Sequence, residues 1–537
     1  MTGESALVQR VRARMKIRSN PAWEHETLNS YLFADSEVAP MSFVVDGTQE
    51  ISYTEFIQRV RGFAGFLVNN GVETGDVVTV MLPNWWEALV ACHAVLWAGA
   101  IVNPIVPIYR EHEVSFVLAQ ARPRMILLPD EFRGFSYVPM LQRAQELANH
   151  RVQLVIVRGH ADSAPSGAID FEEASGSDRM DAMAQADPDD PALLLYTSGT
   201  TGNPKGVLHT HNTLVYENRS IIDLYALQRG KAIFMPSPVT HITGFLYGVL
   251  LPVMLGAPVV LQDVWDPIHA VDLVEMHACQ FSLGATPFLQ GLFDAYQGRP
   301  EFSRSALAVF PCGGAPVPPD LVLRARERMG TDIVRVYGSS EFPTFCSGRR
   351  NEEPDIASQT EGRPIGPVVF RLENSDHNGV GELVVNGPEL FAGYFDMRDE
   401  KLAFTEDGLF KTGDLARLFD EINLVICGRS KDIVIRKGEN ISAREIEDLL
   451  FEHEDIAEVA VVGVPDVSSG ERVVAFIVAK SPDSLIRLEA IAQFLGEKGI
   501  ARQKIPEQIE HIDELPKTPS GKVKKFVLRD LATSHSS

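Results

Sequence analysis

The segment Leu193-Leu-Leu-Tyr-Thr-Ser-Gly-Thr-Thr-Gly-Asn-Pro-Lys-Gly206 carries more structural information than any other in this chain. An apolar run passes without transition into six consecutive small or hydroxyl residues, Thr197 to Gly202. Glycines let a backbone approach a ligand and adopt positive φ. Successive N–H groups in such a turn form an anion nest, and hydroxyls add donors. Lys205 supplies a compact positive charge. Thr197, Ser198, Gly199, Thr200, Thr201, Gly202 and Lys205 are therefore candidate contacts for a polyphosphate. The plain alternative is a polar hairpin that holds nothing. A Walker-type loop requires G-x-x-x-x-G-K-[ST]. Here Lys205 precedes Gly206 and Val207, so no hydroxyl follows to hold magnesium.

Around this segment, strand-like runs alternate with helical patterns. Phe56, Ile57, Val60, Phe63, Ala64 and Leu67 share one helical face after the possible cap Thr54. Val77–Leu82, Met125–Leu128 and Val152–Val157 read as buried strands. Such alternation predicts α/β layers with mainly parallel sheets. Ala161–Asp190, rich in Ser, Gly, Ala and Asp, reads as a surface connection. After Glu382 short strands with close turns predict a β-rich subdomain. Ser442-Ala-Arg-Glu445 is a capping box that opens a helix to about Glu452. Val459–Val464 and Val473–Ala479 follow as strands, and Leu488–Leu495 as a helix. The expected architecture is a large layered α/β N-terminal domain over residues 1–428 with that β-rich subdomain. A small mobile α+β C-terminal domain is expected over residues 429–537.

Lys+Arg 49 against Asp+Glu 72 gives a net charge of -23, the opposite of the basic face a nucleic-acid binder needs. Five scattered cysteines form no C-x-x-C pair, which argues against a zinc site or a disulfide framework and for reduced thiols in a cytoplasmic fold. Arg10, Arg12, Arg14, Lys16 and Arg18 lack the apolar core of a secretory signal and read as a solvated basic leader, with a mitochondrial presequence as the alternative. The uncharged stretch Ile242–Gln262 is long enough to span a bilayer. Its prolines and glycines favour a buried helix followed by a buried strand, hence no membrane span.

The phosphate-loop segment resembles the signature of the adenylate-forming superfamily, which includes acyl-CoA synthetases, peptide-synthetase adenylation domains and beetle luciferases. Further segments extend the resemblance in order, over roughly residues 25 to 530. Val336-Tyr-Gly-Ser-Ser-Glu341 is similar to the family's Tyr-Gly-x-Thr-Glu motif. The resemblance implies that Tyr337 stacks on adenine, with Gly338 and Ser339 beside it, that Ser340 binds the α-phosphate, and that Glu341 ligates Mg²⁺. Cys312-Gly-Gly-Ala-Pro316 places Gly313, Gly314 and Ala315 beside adenine and the acyl pocket. Thr412-Gly-Asp414 and Gly428-Arg429 resemble the ribose-binding pair. Lys431 falls at the family's hinge, and the loop with Gly438 and Glu439 at its CoA channel. Pro516-Lys-Thr-Pro-Ser-Gly-Lys522 resembles the catalytic lysine loop. His241, in Pro238-Val-Thr-His-Ile-Thr-Gly244, takes the position of the residue that closes the acyl pocket, though an ordinary core histidine is the alternative.

The implied activity is an acid–CoA ligase using ATP and Mg²⁺, with Lys522, His241 and Glu341 catalytic. The implied acyl pocket is formed by His241, Phe245, Gly284, Ala285, Gly314 and Ser339, all small or apolar save the histidine and the serine. Asn103–Glu113 and Phe132–Tyr137 look similar to a bacterial subgroup acting on cyclohexanecarboxylate and medium-chain acids. An alicyclic, aromatic or medium-chain carboxylate is thus expected. The chain ends soon after Lys522, so no fused carrier is expected, and Val239–Leu246 lacks the Asp by which peptide synthetases hold an amino group. Free CoA is favoured. A separate acyl carrier protein, a luciferase-like oxidation and a regulator without catalysis are the alternatives. A homodimer is compatible with the sequence, which does not fix the oligomeric state.

Overall fold

A computed structural model describes residues 5–33, 42–47, 49–159, 167–177, 179–197, 204–400, 402–429, 432–436, 439–466, 470–481, 486–498, 500–518 and 522–534. The fold is mixed α/β, a large N-terminal domain with a small C-terminal one. Among the described residues its main sheet has eight strands. Pro191–Thr197 lies parallel to Ile101–Pro104, beyond which follow Val77–Val80, Met125–Pro129, Gln153–Val157 and Ile169–Asp170, all parallel. On its other side Lys205–Thr210 turns back antiparallel, and Gly393–Tyr394 closes the edge. The parallel strands are mostly apolar because helices cover both faces. One such helix, Trp86–Trp97, is buried along its whole length. A buried polar rung crosses three strands: Thr79 donates to Asn103 over 2.9 Å, and Asn103 Nδ2 to the Leu194 carbonyl over 2.7 Å.

Val309–Gly313 and Asp332–Tyr337 form a second, parallel pair whose C-terminal ends carry the site. Four antiparallel strands, Val369–Glu373, Gly381–Asn386, Phe410–Leu418 and Leu424–Arg429, make the β-rich unit. It starts ahead of Glu382, because Val369–Glu373 already pairs into it. In the C-terminal domain, Ile456–Asp466 and Gly470–Ala479 form a long hairpin flanked by Ala443–Leu450, Leu488–Glu497 and Lys525–Ser534. Ser442 caps the first of these helices by accepting from Glu445 N–H over 3.3 Å.

Several expectations need correction. The helix Tyr53–Asn69 is capped by Ser52, not Thr54, which lies inside its first turn. The connection before Asp190 is not bare surface chain: Ile169–Asp170 joins the main sheet and Phe171–Ser175 is helical. The basic leader is not solvated. Ala6–Ile17 is a helix that buries Val8, Val11 and Met15, and Arg10, Arg14 and Arg18 all bind residues between 390 and 400. The stretch after His241 is helical from Ile242 to Leu255, with a π-turn at Phe245–Leu250, and then enters a sheet as Val259–Leu261. Among the described residues no helix is long and apolar enough to cross a membrane.

The two domains meet through charge. Glu361 of the large domain is buried, pairs with Arg335 beside it, and accepts from Arg444 of the small domain over 2.9 Å. Those two guanidiniums hold its carboxyl below the usual range despite burial. Ser442 Oγ also donates to the Cys427 carbonyl over 2.6 Å.

Candidate active site

Thr197 and Lys205 are the last paired residues of their hairpin, so the phosphate loop leaves the sheet between them. Ser198, Gly199, Thr200, Thr201 and Gly202 lie outside the described residues, as do Lys431 and Gly438. Glu439 opens the strand Glu439–Ser442. Lys205 sits half-buried, its ammonium 4.9 Å from the centre of the Tyr394 ring and 3.9 Å from an Asp399 oxygen. A cation over an aromatic face is held by the ring quadrupole.

The ends of the parallel pair define the opposite wall. Gly313 lies in register with Val336, and a Cβ there would overlap the Val336 carbonyl. Gly314 turns away at φ +79 toward Ala315. A Cβ on Gly338 would overlap the Pro343 carbonyl, so only glycine lets the next turn fold back this tightly. In that turn Ser339 N–H donates to the Phe342 carbonyl over 2.8 Å. The Ser339 hydroxyl accepts from the N–H groups of Glu341 and Phe342, each at 3.2 Å. The Ser340 carbonyl accepts from His209 Nε2 over 2.7 Å. Burial drops the His209 pKa to about 4, so the ring is neutral and donates from that nitrogen. Glu341 accepts from the Tyr394 hydroxyl over 2.9 Å.

Asp414 faces this turn from the β-rich unit, buried, in register with Arg429. Its two oxygens are divided: Tyr337 donates to one over 2.6 Å and Arg429 Nε to the other over 3.0 Å. The phenol of Tyr337 is pushed well above its ordinary range by burial and by the adjacent carboxylate.

Lys522 arrives from the small domain on a tight loop. Lys517 bridges Val523, Thr518 N–H donates to the Lys522 carbonyl over 2.7 Å, and Lys522 N–H to the Thr518 hydroxyl over 3.1 Å. Lys522 is exposed to water. Protein around it nevertheless lowers its pKa to about 8, chiefly by desolvation and then by Arg429, against Asp414, Asp432 and Glu341. That list of neighbours puts Lys522, Asp414, Arg429 and Glu341 in one electrostatic field. His241 feels Lys522 too. Burial first and that cation second bring His241 down to about 4, a neutral ring at physiological pH. Its Nδ1 accepts from Thr243 N–H at the start of the following helix, at 3.4 Å. Phe245 is wholly buried in the core, whereas Gly284 bridges Cys312 and so borders the strand end at Gly313.

The structure thus links Lys205, through Tyr394, to Glu341, joins Tyr337 and Arg429 at Asp414, and sets Lys522 in the field of Asp414, Arg429, Glu341 and His241, with Ser339 and Ser340 in the turn between Tyr337 and Glu341. Sequence reasoning missed Tyr394 and His209. The signal for Tyr394 was Gly387-Pro-Glu-Leu-Phe-Ala-Gly-Tyr394, a Gly-Pro to Gly-Tyr turn with apolar filling. His209 had none beyond its place four residues past Lys205 on the same strand.

Comparison with known proteins gives the family and the fold. Residues 35–395 match the family of AMP-binding enzymes, and residues 445–522 match the AMP-binding enzyme C-terminal domain. The chain belongs to the AMP-binding, adenylate-forming enzymes of the AMP-forming acyl-CoA ligase type. It is 33% identical over 524 residues to a medium-chain fatty-acid–CoA ligase of Escherichia coli (strain K12), covering 96% of this chain and 92% of that one. It is 32% identical to a salicyl-AMP ligase / salicyl-S-ArCP synthetase of Mycobacterium tuberculosis, covering 95% and 91%. Among solved structures, ATP-bound MatB from Rhodopseudomonas palustris superposes with a TM-score of 0.84 at 25% identity, covering 96% of this chain and all of that one.

Proposed function

We propose that this chain joins a carboxylic acid to CoA in two steps within the one cleft, with the small domain, residues 429–537, turning about Lys431 between them. In the first step the carboxylate attacks the α-phosphorus of ATP, giving acyl-adenylate and pyrophosphate. Lys522 places its ammonium between the incoming carboxylate oxygen and the α-phosphate, where charge shifts as the bond forms. Asp414 accepts from the ribose hydroxyls, Tyr337 lies against adenine, and Lys205 with the phosphate loop holds the leaving phosphates. Glu341 suits magnesium, because a hard cation that retains waters and phosphate oxygens needs only one or two carboxylates. When bound, that ion would neutralise phosphate charge. In the second step the loop with Gly438 and Glu439 replaces Lys522, and the thiol sulfur attacks the acyl carbon, releasing AMP.

One observation carries this reading: the Lys522 ammonium shares the field of Asp414, Arg429 and Glu341, although it belongs to the other domain. The acid we infer is uncharged beyond its carboxylate, whether alicyclic, aromatic or medium-chain, because His241 is neutral and the residues around it are small or apolar. A pocket of that kind separates apolar shapes only weakly. A relative named as a salicyl-S-ArCP synthetase supports the second reading, an adenylating enzyme that loads a separate carrier. The deciding experiment offers a panel of such acids with ATP and either CoA or a carrier protein, scoring AMP and thioester. Thioester on CoA without carrier is the expected result; adenylate that is discharged only onto carrier favours the second reading, and no AMP with any acid refutes both.

A further inference from the structure

We propose that the N-terminal helix is a positioning strap for the adenylation site: Arg10, Arg14 and Arg18 fix the segment that carries Tyr394, and through Tyr394 the placement of Glu341 and Lys205. This rests on the proposed function for what the site does, and on the following contacts for how it is held.

The segment Pro388–Glu400 is largely irregular, so its carbonyls need donors from elsewhere. A guanidinium, with five N–H groups in a fixed fork, can serve several at once. Arg10 donates to the carbonyls of Tyr394 and Phe395 at 3.4 and 3.0 Å. Arg18 donates to those of Phe391 and Leu390 at 2.6 and 3.3 Å. Arg14 pairs with Glu400, whose same oxygen accepts from Tyr394 N–H over 3.0 Å. A Cβ on Gly393 would overlap both the Arg14 guanidinium and the Glu400 carboxylate, so strap and segment are fitted at that residue. Trp23 adds a bond from Nε1 to the Pro388 carbonyl at 2.9 Å.

The other side of the same segment is the site. Tyr394 pairs with Val207 on the Lys205 strand, donates to Glu341, and receives Lys205 over its ring. Phe391 N–H donates to the Glu341 carbonyl over 2.8 Å, while the Phe391 carbonyl takes Arg18. A single residue thus separates Arg18 from the backbone of Glu341. Arg12 serves as the contrast. It lies on the same helix but pairs with Asp190, away from the segment.

The test compares Arg18→Ala, Arg18→Lys, Tyr394→Phe, the double variant Arg18→Ala/Tyr394→Phe, and Arg12→Ala. Each is read for thermal stability, for ATP affinity by calorimetry, for the KM of ATP in acid-dependent pyrophosphate release, and for thioester formation from supplied acyl-AMP and CoA. Arg18→Ala is expected to weaken ATP binding and raise that KM roughly tenfold, with thioester formation from acyl-AMP within about twofold of wild type. Arg18→Lys recovers part of the loss. The double variant is expected to be no worse than about twofold beyond the poorer single one, because residues acting through one another are non-additive. Arg12→Ala leaves the KM within about twofold. Unchanged ATP affinity in Arg18→Ala, equal loss in both half-reactions, or losses that multiply in the double variant would each overturn the strap. A wild-type chain that releases pyrophosphate with no acid overturns the functional reading instead, and the calorimetric comparison still decides the strap.

Discussion

Tyr337 donates its phenolic proton to Asp414 over 2.6 Å, joining the end of a parallel strand in one sheet to the antiparallel β-rich unit. The carboxylate's other oxygen is bound by Arg429. Asp414 is thereby oriented before any nucleotide arrives, and a buried, oriented acceptor loses little on binding. Replacing it with Ala removes the acceptor proposed for ribose and strands two donors. Hydrogen bonds to a charged group contribute about 1.5–3 kcal/mol each. Asp414→Ala should raise the KM for ATP by about 10- to 100-fold. Tyr337→Phe keeps the ring and loses only the tether, so its effect should be several-fold smaller. Steady-state kinetics on both variants checks this, and a Tyr337→Phe loss as large as that of Asp414→Ala would show the tether, not the ribose contact, to be decisive.

Lys522 should divide the two half-reactions. Lys522→Ala is expected to slow adenylate formation by about 10²- to 10³-fold, the cost of losing one charge aimed at the transition state. Thioester formation from supplied acyl-AMP should be spared. The protonated ammonium is the working form, and its pKa in the free enzyme is lowered to about 8. kcat/KM for ATP should therefore fall as pH rises through about 8, while Lys522→Arg keeps its charge and loses that limb. A pH profile flat to 9.5 for the wild type would contradict the assignment.

Much of this was legible in the residues. The strand that ends at Thr197, the strand ends at Gly313 and Tyr337, and the helix opened by Ser442 all follow from local rules: apolar run, turn chemistry, cap. The role of the N-terminal arginines was not legible. The partners of Arg10 and Arg18 lie more than 370 positions away and are backbone carbonyls, which leave no mark in side-chain pattern, and Arg14 finds the Glu400 carboxylate as far along the chain. Tyr394 was hidden for a related reason. Its hydroxyl finds Glu341 only because two distant segments pair as sheet edges. Ser52 displaced Thr54 as a cap because the helix starts earlier than its apolar face does.

The contact of Arg444 with Glu361 crosses between domains, whereas that of Arg335 stays within one. Arg444→Ala leaves the carboxylate paired with Arg335, so the fold should survive and the domain arrangement seen here should weaken. Roughly tenfold slower adenylation is expected, about 1.4 kcal/mol, with thioester formation unchanged or faster. Arg335→Ala removes the local partner of a buried charge and should cost about 3–5 kcal/mol of stability. Thermal denaturation beside the two half-reactions separates the outcomes; a large drop in melting temperature for Arg444→Ala would make the contact a fold element, not a domain latch.

Glu389 offers a test independent of catalysis. It is 1% exposed, its Oε2 has no hydrogen-bond partner among the described residues, and Glu217 stands close enough to oppose a second charge. Glu217 itself has partners, accepting from the Tyr247 hydroxyl. Burial first and Glu217 second push the Glu389 carboxyl well above its usual range. The folded chain then holds a proton that the unfolded chain releases above about pH 4.5. Stability must therefore fall as pH rises from there until the folded-state pKa is passed. Glu389→Gln keeps the shape and removes the titration. Its melting temperature should exceed that of wild type at pH 7, by an amount that shrinks toward zero as pH falls to 4.5. A difference that stays constant across that interval would mean that the carboxyl is ionised in the fold, and that an unseen cation or donor reaches it.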